Sequence, residues 1–218
     1  MKKKRHGRIK GIRIILAVCI CITTWALLMQ IVNVVESISV FRDYNEYNIA
    51  RDLDGGIPLF LQSDERWADK KYGSSDMEIS GCGPTCLSMV WCGLTGGTKW
   101  DPYAVAKMAE EEGYYVKGAR TSWEIMTSGA REKGLEGREL TFDENHIREA
   151  LEKGQPIICA MGPGDFTTEG HFIVLVDTTE DGRIVVNDPN SVENSERSWG
   201  LSDLMSQMKN LWVYQVSS

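Results

Sequence analysis

The chain has 218 residues and a formal net charge of −7, room for one domain with its own core and an appendage. The charge is uneven: residues 1–13 hold Lys2, Lys3, Lys4, Arg5, Arg8, Lys10 and Arg13 and no acid, a local +7 that leaves −14 for the rest. An acidic remainder would repel a phosphate backbone, which argues against nucleic acid as a partner.

Residues 14–35 carry no charge for 22 positions. As a helix they would span about 33 Å, against a bilayer core of ~30 Å. This predicts one transmembrane helix over 14–35, a signal anchor. The basic segment 1–13 would be cytoplasmic and the bulk of the chain extracytoplasmic, making a single-pass protein of the cell membrane. A cleaved secretory signal would have a shorter apolar core, roughly 7–15 residues, and a small-x-small site, which is not seen. Lipidation at Cys19 would need a small residue before it, and Val18 stands there.

Residues 36–57 read as a polar juxtamembrane linker ending in Gly55-Gly56, so the folded domain is expected over 58–218. Within it, helix signals come first. Cys82 to about Cys92 is apolar, with Pro84 in its first turn, where a missing N–H costs little. Asp101-Pro102 starts a helix that ends near Gly113. Thr121 to Glu124 and Thr141 to Glu144 read as capping boxes of helices closed by Gly134 and Gly154. Strand signals follow at Ile157–Met161, Phe172–Val176 and Ile184–Val186, then a short helix at Ser202–Met208 and a last strand at Leu211–Val216. Helices followed by strands predict an α+β domain.

Six cysteines are present, four of them in the outer domain: Cys82, Cys86, Cys92 and Cys159. That is too few for a disulfide scaffold, and Cys86 and Cys92 sit among apolar residues as buried thiols do. Cys82 differs. It lies in Gly81-Cys82-Gly83-Pro84-Thr85 at a predicted helix start, where partial positive charge and unpaired N–H groups favour a thiolate. The flanking glycines are read as clearing a path for a substrate backbone. Downstream, His171 follows Gly170 at the mouth of a strand and is the natural base; His146, in a charged helical run, reads as a solvated residue. Asp188, in Asn187-Asp188-Pro189, is the candidate to orient the imidazole, with Asn187 as fallback. A two-residue turn at Asp181-Gly182 would set Asp188 opposite Leu175, too far from His171. A wider loop, Thr178 to Gly182, would set it opposite Phe172, where a one-residue bulge could aim it. Gln62 is the candidate side-chain donor to an oxyanion, beside the Cys82 amide.

The ordered set Gln62-x-Asp64-x-x-Trp67, Tyr72-Gly73, Ile79 through Thr85, Gly170-His171-Phe172 and Asn187-Asp188-Pro189 resembles the bacteriocin-processing-type, papain-like cysteine peptidases, the double-glycine leader peptidases. The resemblance covers about Pro58 to Val216. It implies a papain-like fold, N-terminal helices packed on a C-terminal antiparallel sheet, with Cys82 as nucleophile, His171 as base, Asp188 as orienter and Gln62 in the oxyanion hole. The expected function is a membrane-anchored extracytoplasmic cysteine peptidase acting on a peptide or protein, without cofactor or metal. The other readings are a cell-wall peptide hydrolase and a papain-like module that binds peptides or proteins without turnover. Trp91, Trp100, Tyr103, Tyr114, Tyr115 and Trp123 are either core or groove lining. Gly55-Gly56 matches the pair after which such peptidases cut, so the linker is either a processing site or a plain hinge.

Overall fold

The computed structural model describes residues 20–32, 49–118 and 120–217. The chain divides into two units, Met1–Asp43 and Tyr44–Ser218. In the first, residues 20–32 form a helix, α1, with every residue exposed, including Ile22, Trp25, Leu27 and Leu28. Thr23 and Thr24 each turn a hydroxyl back to the Ile20 carbonyl at 2.9 Å, which satisfies them within an apolar helix. Among the described residues no helix is long and apolar enough to cross a membrane. The span expected over 14–35 extends past α1 at both ends, outside the described residues, as do the basic segment 1–13 and most of the linker 36–57.

The second unit opens with a 3-10 turn, Ala50–Asp52, and a loop to Asp69. A small ribbon, β1 (Lys71–Tyr72) and β2 (Ser75–Asp76), leads into α2 (Met77–Ser80) and the long α3 (Cys82–Thr95). Next come α4 (Pro102–Glu111), a second ribbon, β3 (Tyr115–Val116) with β4 (Arg120–Thr121), a 3-10 turn at Trp123–Met126 and α5 (Ser128–Glu132). The sheet-forming half holds β5 (Leu135–Glu139), α6 (Glu144–Glu152), β6 (Ile157–Met161), β7 (His171–Thr178) and β8 (Ile184–Asn187). It ends with α7 (Val192–Glu196), β9 (Ser198–Trp199), α8 (Leu201–Gln207) and β10 (Met208–Val216). The domain is α+β: one six-stranded antiparallel sheet, in the order β5-β10-β6-β7-β8-β9, with the helices beside it.

Local chemistry sets the boundaries. Asp101 caps α4 by accepting from the N–H groups of Tyr103 and Ala104 at 3.0 and 2.9 Å, and Pro102 occupies the first helical position. The two predicted capping boxes are displaced. Ser122, not Thr121, caps the turn after β4, and Asp143, not Thr141, caps α6. The helix expected from Thr121 to Gly134 is broken into a 3-10 turn and α5. β6 is buried at every position because both faces of the sheet are covered. On one face lie α3 and α4 with Trp67, Tyr72, Met89, Trp212 and Tyr214; on the other lie α6 and α8 with Ile173, Leu175, Leu204 and Leu211. Each such large side chain stabilises the fold by about 1.5–3 kcal/mol.

Candidate active site

α3 starts at Cys82, directly after Gly81, and no side chain caps it. Its first N–H groups therefore face whatever lies beyond the helix end. The flanking glycines serve packing rather than substrate access, contrary to the expectation. A Cβ on Gly81 would fall 2.5 Å from the Met77 carbonyl oxygen, and one on Gly83 would fall 3.0 Å from the Thr121 side chain. They let α2 and β4 close directly onto the start of α3.

His171 is the first residue of β7, as read from the sequence, and is 8 % exposed. The β7–β8 hairpin takes neither register considered above. Thr178 pairs with Ile184, a bulge at Val176 shifts the ladder by one, and Val174 then pairs with Asn187. Asp188 leaves the sheet one residue later and turns its carboxylate to His171, with Oδ1 2.7 Å from Nε2. A carboxylate only accepts, so Nε2–H donates and Nδ1 is the ring nitrogen left for another group. The Cys82 thiol shares the cleft with this ring, and each group shifts the other's protonation.

The electrostatics follow from these contacts. Burial alone would raise the Cys82 pKa, but the His171 hydrogen bond and charge, with the backbone N–H groups of Phe172 and Gly83, outweigh it and lower the thiol below its ordinary value. Burial alone would lower His171, but hydrogen bonds and charge from Asp188 and Cys82 raise it to about 9. Both shifts favour a thiolate–imidazolium pair, whose members titrate together. One turn along α3, Cys86 is raised well above the ordinary thiol range by burial, and Cys92 is raised to about 12 for the same first reason. Among the described residues the cysteines are free thiols, Cys82, Cys86, Cys92 and Cys159 included.

Gln62 stands apart from this group. The motif around it is a folded loop: Asp64 Oδ1 accepts from the Arg66 N–H at 2.9 Å, and Trp67 Nε1 donates to the Leu61 carbonyl at 2.8 Å. The Gln62 N–H donates to the Pro189 carbonyl at 2.7 Å, which ties this loop to the one carrying Asp188. Its buried side chain donates from Nε2 to the Glu78 carbonyl, and its Oε1 is buried without a partner. The contact puts the amide beside α2, just before Cys82, with one Nε2 hydrogen still uncommitted.

The reading of the sequence missed Asn194. From α7 its Nδ2 donates to Asp188 Oδ2 at 2.8 Å, while the Asn190 N–H donates to Oδ1 at 2.9 Å. The Ser195 hydroxyl accepts from the Asp188 N–H at 2.9 Å. Asp188 is thus held from three sides, and Trp199 Nε1, donating to the Asn194 carbonyl at 2.9 Å, holds α7 in turn. A polar residue two positions into a helix of five carries no periodic signal.

Cys82 and His171 open onto a cleft of about 370 Å³. Its walls include Thr121, Trp123, Met161 and Phe172. Of the six aromatics left between core and groove, Trp123 lines this cleft; it is 47 % exposed and packs edge-on to Trp212 with ring centroids 5.4 Å apart. Trp100 and Tyr114 are buried in the core. Gly55-Gly56 lies elsewhere. A Cβ on Gly93 would meet the Gly56 oxygen at 3.0 Å, and Gly93 is about 16 Å along α3 from Cys82. Asn187 Nδ2 holds the next two carbonyls, of Ile57 and Pro58, at 3.0 Å each. Among the described residues no group of three His, Cys, Asp or Glu side chains could hold a metal ion.

No curated protein matches the chain. A family model, described as Peptidase_C39 like family, matches residues 55–218, the whole of the sheet and the helices around it. That membership supports a cysteine peptidase and, with it, a peptide or protein substrate. The match covers three quarters of the sequence, and the chain belongs to the peptidase C39-like family.

Proposed function

We propose that this chain is a cysteine peptidase held in the cell membrane by residues 14–35 and acting on the extracytoplasmic side. One observation supports the chemistry: Cys82 and His171 line the same cleft, and the His171 ring is bonded to Asp188 behind it. The Cys82 thiolate attacks the carbonyl carbon of a peptide bond. The oxygen becomes an oxyanion, taken by the Cys82 N–H and the uncommitted Nε2 hydrogen of Gln62. The His171 imidazolium gives its proton to the leaving nitrogen, the C–N bond breaks, and an acyl-thioester remains on Cys82. His171, now neutral, takes a proton from water, whose oxygen attacks the thioester. Collapse releases the acid and restores the ion pair. Asp188 keeps the imidazole aligned throughout.

The topology rests on the +7 segment at 1–13, the uncharged run 14–35 and the exposed apolar side chains of α1. Protease protection in sealed cells tests it: the domain should be digested from outside.

The chemistry is tested with the full chain in detergent micelles and a proteome-derived peptide library. Cleavage should follow a bell-shaped pH profile. It rises as pH passes the lowered pKa of Cys82 and falls as pH passes about 9, where the His171 imidazolium is lost. An intact library in the presence of an alkylatable Cys82 overturns turnover and leaves a peptide-binding module.

A further inference from the structure

Lys209 is a charged residue of the cleft wall that nothing in the chemistry above uses. It is exposed, and among the described residues no carboxylate pairs with it. Its placement is built. In the β10–β6 ladder Met208 pairs with Met161 and Asn210 pairs with Ala160, so Lys209 is the extra residue of a β-bulge. A bulge re-aims the side chain it carries. The bulge stands level with the site, because Met161 also pairs with His171 on its other side. Two strand spacings, roughly 10 Å, separate β10 from β7 there. The residue facing the lysine is Gly162: a Cβ on it would lie 2.4 Å from Lys209 Cε and 3.3 Å from Nζ. Gly162 has no positive φ to require a glycine, so what its missing side chain provides is room for the lysine stem. Glu169, the acid on the same wall, has a partner of its own.

Building on the peptidase reading of this site, we infer that Lys209 is a specificity-determining residue that selects peptides carrying a carboxylate side chain within three residues of the scissile bond. An extended peptide advances about 3.3–3.6 Å per residue, so two to three residues cover the separation between the strands. The ammonium then meets an Asp or Glu side chain as a charge-assisted hydrogen bond at the edge of a half-apolar cleft. A Gln in the same place loses that charge and a Lys is repelled.

The test uses the full chain in detergent with two sets of probes. The first is tripeptidyl vinyl sulfones with Glu, Gln or Lys scanned across the three residues before the warhead, read as the rate of Cys82 labelling. The second is the matching fluorescent tripeptides, read as binding to the Cys82→Ala protein. At one position Glu should exceed Gln by about tenfold, and Lys should be weakest. Lys209→Gln should equalise Glu and Gln, Lys209→Glu should invert the order, and Gly162→Ala, which keeps the charge but displaces it, should lower the Glu preference. Binding with a Glu preference but no labelling sustains the role of Lys209 and overturns the peptidase. Labelling without a Glu-over-Gln difference, or a difference that survives Lys209→Gln, overturns the role of Lys209 and leaves the peptidase standing. No Glu-over-Gln difference in either set also overturns it.

Discussion

The two faces of the six-stranded sheet are made by the same strands and built on different rules. Along β6, Ile158 and Ala160 face α3, while Ile157, Cys159 and Met161 face α6 and α8. The α6 face is closed mainly by aliphatic and aromatic side chains, with Trp199 Nε1 bonded to the Asn194 carbonyl. The α3 side also buries polar groups: Ser88 Oγ donates to the Trp100 carbonyl at 2.6 Å, the Tyr72 and Thr121 hydroxyls share a hydrogen bond of 2.9 Å, and Thr85 Oγ1 and Tyr214 OH are buried without a partner. The Cys82 thiol sits on that side. Cys82 and Cys86, one turn apart on α3, show what separates function from packing: burial acts on both, and only Cys82 has an imidazole and two backbone N–H groups to overcome it.

Substitutions can break this contrast, from the largest effect to the smallest. Cys82→Ala should abolish peptide cleavage, a loss of about 10⁴-fold or more. In the same vein, iodoacetamide at pH 7 should modify Cys82 in the folded chain and spare Cys86, Cys92 and Cys159, as peptide mapping by mass spectrometry would read. On the opposite face, Leu204→Ala should cost about 2–5 kcal/mol in urea unfolding and leave the pH profile of cleavage unmoved. Asn194→Ala removes a hydrogen bond to the Asp188 carboxylate, worth about 1.5–3 kcal/mol, so kcat should fall roughly 10–150-fold with KM little changed. An equal fall in kcat and rise in KM would show that Asn194 shapes the cleft rather than orienting the acid. The other histidine of the domain, His146, is exposed and only loosely paired with Asp143 at 3.8 Å. His146→Gln should shift stability by less than about 0.5 kcal/mol and leave cleavage unchanged.

What could be read from the chain depended on whether a signal was local. Cys82 at the start of a helix, His171 at the mouth of a strand and the bounds of β6 each follow from residue types within a few positions, and the structure has all three. β5 was not anticipated. It is an edge strand, Leu135–Glu139, in which only Leu135 and Gly137 are buried, so it carries no apolar run to announce it. The β7–β8 register was not reached either, because the bulge at Val176 depends on pairing across the hairpin. For the same reason the route that brings the Asp188 carboxylate to the His171 ring was not reached. Gln62 was read as the side-chain donor to an oxyanion; its burial and its bond to the Glu78 carbonyl depend on how α2 folds back.

The position of Gly56 against the far end of α3, with the following carbonyls clamped by Asn187, bears on how the linker could ever be cut. A chain cannot deliver its own Gly55-Gly56 to its own sulfur without first tearing the domain's leading edge loose. Any severing there by this chemistry is therefore an encounter between two molecules. Its half-life would shorten with the concentration of chains and lengthen on dilution.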